Sequence, residues 1–260
     1  MRIGIIADIH GNLPGLEASW ERLSHLDLDQ VVCLGDLVQY GPYPAEVVDF
    51  VAGHDIETVQ GNCDRAAGRG RTETGDVFVN VHWKAQAEES MEWTLEQLDS
   101  SQMRFLRKLP SELRYKVGRW DVLCVHGLPG NVNGSIGEND TNEVYSFTIH
   151  HNSCQVLALG HTHRMLLRSV REGMIMNPGS VGGGTLPGES TLAILEVEEE
   201  TGTISASWMR VPFDTASYAG RFRQARLPET FLKCVILGRD PRGEWLTDDI
   251  NRRQKWAEPL

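Results

Sequence analysis

The stretch RIGIIADIHGNLPGLEASWERLSHLDLDQVVCLGD, residues 2–36, decides the fold class. It opens on Arg2 to Ala7, an isoleucine-rich run too short for a helix, which reads as a buried strand. Leu13 to Leu28 follows, with Leu13, Leu16, Trp20, Leu23 and Leu26 at the three- and four-residue spacings of an amphipathic helix. Val31 to Gly35 is a second strand. Beyond it, Pro44 to Ala52 repeats the helical pattern in shorter form, and Ile56 to Gln60 is a third strand. Strand, helix, strand, helix, strand predicts a parallel sheet with right-handed crossovers. Ligands of such sheets gather at the C-terminal ends of the strands.

Farther along the chain, Trp83 to Leu109 is predicted as one helix. Met91, Trp93, Leu95, Leu98, Phe105, Leu106 and Leu109 form its apolar stripe, and Pro110 ends it. Its tryptophans read as core packing. Asp121 to Val125, Val156 to Gly160 and Met174 to Asn177 are strand-like, while Leu192 to Val197 and Ile204 to Met209, joined by a turn containing Thr201 and Gly202, form a hairpin. From Phe213 the pattern is two short helices and a polar tail.

The chain has 260 residues, 40% hydrophobic and 23% charged, which suits one globular domain with a small appendage. The boundaries expected are 1–212 for the domain and 213–260 for a C-terminal helical extension packed on it. Ile3 to Ala7 is too short to span a bilayer and lacks the flanks of a signal peptide, so a cytoplasmic protein without membrane attachment is expected. Five scattered cysteines, none in a C-x-x-C pair, argue against a disulfide framework; Cys33, Cys124 and Cys234 sit in apolar runs as small core residues. A formal charge of −11 disfavours a stable complex with nucleic acid but permits a small phosphorylated substrate, for which carboxylate-held metals would supply a local positive field.

The chemistry lies at the strand ends. Asp8-Ile9-His10 follows the first strand, Asp36 the second, Asn62 the third, His126 the fourth, and His161-Thr162-His163 the fifth. Taken singly, each has a commoner reading: a helix cap, a turn, a satisfied core histidine. Five such elements, each at a strand's C-terminal end, point jointly to a metal site. Seven carboxylate, amide and imidazole ligands exceed the four of a structural zinc and suit two ions. The donor set favours manganese, iron, cobalt, nickel or zinc over calcium. Two ions about 3.5–4 Å apart form the known clamp for in-line displacement at phosphorus.

These motifs resemble those of the calcineurin-like metallophosphoesterases. The family pattern D-x-H, G-D, G-N-[HC]-[DE], His-Gly and G-H-x-H is matched by Asp8/His10, Gly35/Asp36, Gly61/Asn62/Cys63/Asp64, His126/Gly127 and Gly160/His161/Thr162/His163. The resemblance implies a four-layer α/β/β/α sandwich of two mixed sheets flanked by helices. It implies a first metal on Asp8, His10, Asp36 and His163, a second on Asp36, Asn62, His126 and His161, and a hydroxide between them as nucleophile. Manganese would be the leading metal. Asp36, Asn62, His126 and Asp64 are the catalytic candidates, Asp64 as a residue that orients the Asn62 loop. Asn12, Cys63 and Arg65 are candidate substrate contacts; for Asn12, capping the helix from Leu13 is an equal reading, and for Arg65, with Arg69 and Arg71, a solvated glycine-rich loop is the alternative.

Two departures bear on substrate class. Cys63 stands where many family phosphatases carry a histidine able to protonate the leaving group. Gly35-Asp36-Leu37-Val38-Gln39-Tyr40-Gly41 replaces G-D-x-V-D-R-G, so that motif's phosphate-binding arginine is missing. The G-N-C-D form resembles small bacterial and archaeal phosphodiesterases. The expected function is metal-dependent hydrolysis of a phosphodiester, with a nucleotide or cyclic nucleotide as a candidate substrate. Alternatives are a phosphomonoesterase or nucleotidase and a non-catalytic scaffold on the same fold; a homo-oligomer is compatible with either.

Overall fold

A computed structural model describes residues 1–184, 186–198 and 201–243. Its elements in chain order are β1 (Arg2–Ile6), α1 (Leu13–Ser24), β2 (Gln30–Cys33), α2 (Pro44–Gly53), β3 (Glu57–Thr58), α3 (Asn62–Gly68), α4 (Val81–Gln97) and α5 (Ser100–Lys108). The second half holds β4 (Glu112–Val117), β5 (Trp120–Val125), α6 (Asn142–His151), β6 (Val156–Ala158), β7 (Met165–Val170) and β8 (Gly173–Pro178). The hairpin β9 (Glu189–Glu198) and β10 (Thr203–Pro212) precedes α7 (Thr215–Gln224) and α8 (Glu229–Leu237).

The strands form two mixed five-stranded sheets, ordered β10-β9-β1-β2-β3 and β4-β5-β6-β8-β7. The parallel core β1-β2-β3 of the first is the predicted unit, with Ile5 opposite Val32 and Ile6 opposite Cys33. The two sheets face each other across Ile3, Ile5, Val32, Val122, Cys124, Val156, Met176, Ala193 and Leu195, all buried. A second apolar layer joins the outer face of the first sheet to α1, α2, α3 and α5 through residues such as Leu16, Leu23, Val47, Val51 and Leu106. A third joins the second sheet to α6 through Tyr145 and Ile149. This is the expected α/β/β/α sandwich.

Trp83 to Leu109 is not one helix. The chain breaks at Leu98, whose ψ of 132° is extended, and Asp99 starts α5 by accepting hydrogen bonds from the backbone N–H groups of Ser101 and Gln102. The Gln102 side chain returns a bond to the Asp99 N–H, completing a capping box that outweighs the continuous apolar stripe. Sequence reasoning also passed over α3, β4, α6 and β7. Residues 213 onward begin with the two expected helices, whose Phe222, Phe231 and Leu232 pack with Tyr40, Trp83 and Ala87. The polar tail beyond 243, including Arg252, Arg253 and Lys255, lies outside the described residues. Among the described residues no helix is long and apolar enough to cross a membrane.

Candidate metal centre

The predicted ligands sit at the turns where strands end. Asp8 (φ 53°), His10 (φ 48°), Asp36 (φ 55°), His161 (φ 65°) and His163 (φ 58°) all adopt the left-handed region. That conformation is costly for any residue but glycine and clusters at functional sites. It is sustained by pairing between the turns: Asp8 N–H donates to the Gly35 carbonyl, and the N–H groups of Ile9 and His10 both donate to that of Asp36. Gly61 admits the third turn. A Cβ there would lie 2.0 Å from Asp36 Oδ1 and 2.4 Å from Asp36 N, so no side chain fits between the two ligand loops.

All seven predicted ligands are buried. Their donor atoms converge in two groups, Asp8 with His10 and His163, and Asp36 with His126 and His161, while a third group joins His10 and Asp36 to the Cys63 thiol, each within 4.8 Å. Asp36 Oδ2 connects them, 3.7 Å from His10 Nε2 and 3.4 Å from His126 Nε2. Asn62 Oδ1 lies 3.0 Å from His126 Nε2. Backbone carbonyls set the imidazole tautomers. His126 Nδ1 bonds the Leu34 carbonyl at 2.7 Å and His10 Nδ1 that of Val38 at 3.1 Å, leaving each Nε2 to face the centre.

This donor set fits cations. Asp8 Oδ2 is buried without a hydrogen-bond partner. His10 Nε2 and His163 Nε2 face each other at 3.0 Å although His10 already has its Nδ1 engaged by a carbonyl. The His10 Nε2 lone pair there is met either by a proton on His163 Nε2 or by a metal ion between the two rings. Titration follows the same geometry. Burial drives His161 down to about 3, aided by His126 and Arg242, and drives His10 and His163 down as well. Burial also opposes charge on His126, but Asp36 and then Asp8 outweigh it and push His126 up to about 10. Asp36 keeps its charge despite burial, held well below the usual carboxylate range by His126, His10 and His161. Burial pushes Asp8 well above that range.

Asp64 belongs to none of these donor groups. Its carboxylate accepts from the backbone N–H groups of Asp36 (2.8 Å), Leu37 (2.8 Å) and Gly61 (2.9 Å), which ties the second and third ligand turns together. Cys63 is buried; its Sγ lies 3.1 Å from Asp36 Oδ2, and its N–H donates to Asp36 Oδ1 at 2.9 Å. Burial, then the charge of Asp36, push the thiol well above its ordinary range, so without metal it holds its proton. Cys63 thus braces Asp36 through both its thiol and its backbone N–H.

Of the two readings of Asn12, the structure shows the helix cap. Asn12 is wholly buried, and its Oδ1 accepts from Gly15 N–H at 3.0 Å at the start of α1. Arg65 donates from Nη2 to Asn133 Oδ1 at 3.0 Å, and Arg69 and Arg71 are exposed.

Three nearby residues escaped sequence reasoning. Asp76 accepts from Asn62 Nδ2 at 2.9 Å. Asp240 and Arg242 form a two-point pair, Nε to Oδ1 at 3.1 Å and Nη2 to Oδ2 at 2.8 Å. Arg242 Nη2 also approaches the carbonyl of Thr162, between the two ligand histidines, at 3.5 Å. Thr162, Arg164, Arg242 and residues 135–140 line a cleft of about 270 Å³ beside this loop. Asp-Pro-Arg-Gly at 240–243 reads as a turn and gives no hint of this placement.

The model of the calcineurin-like phosphoesterase superfamily domain matches residues 1–200. An uncharacterized protein of Methanocaldococcus jannaschii is 25% identical over 254 residues, covering 91% of this chain and 98% of that one. A hypothetical protein of Pyrococcus horikoshii has a similar crystal structure, with a TM-score of 0.78 at 23% identity over 90% of this chain and 97% of that one. A metallophosphoesterase from Sphaerobacter thermophilus superposes with a TM-score of 0.67 at 27% identity, covering 92% and 98% of the two chains.

Proposed function

We propose that this chain, which belongs to the calcineurin-like phosphoesterase superfamily, is a dinuclear metal-dependent phosphodiesterase. The observation that carries the reading is the convergence of two buried ligand groups on Asp36. Asp8, His10, Asp36 and His163 would hold one ion, and Asp36, Asn62, His126 and His161 the other. Bound there, two divalent ions, manganese leading by the family resemblance and iron, nickel, cobalt or zinc equally compatible with the carboxylate and imidazole donors, would supply Lewis acidity toward phosphoryl oxygens and a water acidic enough to attack near neutral pH.

The protein's part is to hold these donors in place. Leu34 and Val38 carbonyls fix two imidazole rotations, Asp64 ties two ligand turns, and Cys63 braces Asp36. Complete retention of the ligand set supports an enzyme over a scaffold, which would be free to lose ligands. Cys63 supports a diester over a monoester, since a protonated thiol bonded to Asp36 is poorly placed to protonate an alkoxide. We read 1–212 as the catalytic domain and 213 onward as an extension packed on it, supported by the contacts of Phe222 and Phe231 with Tyr40 and Trp83.

The test is a panel of nucleotides, 2′,3′-cyclic and linear diesters and monoesters, assayed with Mn²⁺, Ni²⁺, Co²⁺, Zn²⁺ and Mg²⁺ after metal stripping. Diester turnover restored by a transition metal is the expected result. Full activity in stripped protein would overturn the metal reading, and a preference for alkyl monoesters would favour a phosphomonoesterase.

A further inference from the structure

Asn62 is the one amide in the ligand set, and an amide can turn either end toward a metal. Only its oxygen ligates. The two ends differ little in shape, so the choice must be made by their neighbours. On one side Asn62 Oδ1 faces His126 Nε2 at 3.0 Å. On the other, Nδ2 donates to Asp76 Oδ2 at 2.9 Å. Turning the amide over would set its oxygen against a carboxylate and its NH₂ against the metal-facing nitrogen of His126.

Asp76 is itself held. Thr74 Oγ1 donates to the same Oδ2 at 2.7 Å. Asn133 Nδ2 donates to the Thr74 carbonyl at 3.0 Å, and Arg65 Nη2 to Asn133 Oδ1 at 3.0 Å. Arg65 and Asn62 both belong to α3, so the bonds run from that helix through residues 133, 74 and 76 and back to it. Gly75, at φ 87°, allows the approach, since a Cβ there would stand 2.9 Å from Asn133 Oδ1.

We propose that Asp76 is the positioning residue for Asn62: it holds the amide with Oδ1 turned into the site and thereby sets the affinity of the metal position that Asn62 shares with Asp36, His126 and His161. The bond to Asp76 is charge-assisted, so it draws positive character to the NH₂ end and leaves more electron density on Oδ1. Asp76 adds this without joining any of the groups of converging donor atoms. The inference rests on the two-metal reading above and adds to it a residue outside the family motifs.

The test is calorimetric titration of metal-stripped protein with Mn²⁺, for wild type, Asp76→Ala, Asp76→Asn, Asn62→Ala and the Asn62→Ala/Asp76→Ala double variant. Loss of such an outer hydrogen bond typically weakens metal binding about 10- to 100-fold. Asp76→Ala is expected to weaken by that factor the binding event that Asn62→Ala weakens and to spare the other. Asp76→Asn, which keeps an acceptor without the charge, should fall between wild type and Ala. In the double variant the loss should be no greater than in Asn62→Ala alone, because Asp76 then has no amide to hold. Additive losses, or equal weakening of both binding events, would overturn the positioning role while leaving two-metal binding intact. If Asn62→Ala changes no binding event, Asn62 is not a ligand, and the assignment of the second metal falls together with this inference. Should Asp76→Ala fail to fold, Asp76→Asn and its double variant with Asn62→Ala carry the same cycle.

Discussion

Nε2 of His126 lies 3.4 Å from Oδ2 of Asp36, and that oxygen is the atom through which the two ligand groups meet. Removing its charge should empty both positions. Asp36→Asn is therefore expected to lower metal content below one equivalent and diester turnover by more than about 100-fold, since loss of an outer hydrogen bond alone costs up to about that factor. Metal analysis with steady-state kinetics checks it. Near-normal turnover in the variant would remove Asp36 from its bridging place.

The same pair makes the metal-free protein sensitive to alkaline pH. Burial opposes the imidazolium, but Asp36 outweighs it and His126 is pushed up to about 10 in the folded state, against about 6.5 when unfolded. A raised folded value means that the stabilisation is fully present below about pH 6.5 and is lost as pH rises through about 10. Metal-free protein should accordingly lose on the order of a few kcal/mol between pH 6.5 and 9.5. Metal displaces the proton from His126, so the loaded protein should lack this decline and binding at pH 7 should release protons. Thermal unfolding of both forms across that range, and calorimetry in buffers of differing ionisation enthalpy, provide the measurements. A metal-free protein that gains stability above pH 7 would contradict the pairing.

The converging side chains were legible because each follows a run of Ile, Val or Leu whose pattern marks a strand and so locates its C-terminal end. What held them in place was less so. The left-handed backbone at Asp8 and Asp36 comes from turn-to-turn hydrogen bonds between separate strands, which no local pattern encodes. Strand β4 alternates Glu112, Arg114 and Lys116 with Leu113, Tyr115 and Val117, as suits an edge strand with one solvated face, and a search for continuous apolar runs passes over it. Asp76 and Arg242 reach the centre from loops 14 and 80 residues away from their partners, Asn62 and Thr162, without a motif of their own. Arg65 was the opposite case: near in sequence, but turned toward Asn133 by the direction of α3.

Cys63 tests the substrate class. Its thiol is spent on Asp36 and is buried from solvent, so Cys63→Ala should lose only a weak hydrogen bond and keep diester kcat/KM within about fivefold, roughly 1 kcal/mol of transition-state stabilisation. Cys63→His places a group of suitable pKa where a leaving alkoxide needs a proton and should raise monoesterase relative to diesterase activity. The measurement is kcat/KM for one diester and one monoester in all three proteins. An inactive Ala variant with its metals still bound would give the thiol a part in the chemistry, and an unchanged ratio in the His variant would remove the leaving-group argument.

Arg242 bears on how a chain without the usual phosphate-binding arginine could hold its substrate. Its guanidinium is held at two points by Asp240 and lies against the Thr162 carbonyl, in the loop that carries His161 and His163. That pairing pre-orients the group beside the cleft lined by Thr162 and Arg164, and its charge helps to lower His161. A charge-assisted hydrogen bond to a substrate oxygen is worth about 1.5–3 kcal/mol, so Arg242→Ala should raise KM by roughly 10- to 150-fold with a much smaller change in kcat. Arg242→Lys should recover only part of the loss, because an ammonium cannot reproduce the planar two-point geometry. Asp240→Asn should raise KM less, by freeing the guanidinium to turn. A purely structural pair would instead lower the unfolding temperature and leave KM unchanged. Kinetics and thermal unfolding of the three variants, at equal metal occupancy, separate the two roles, and a KM unaltered in Arg242→Ala would exclude the residue from substrate binding.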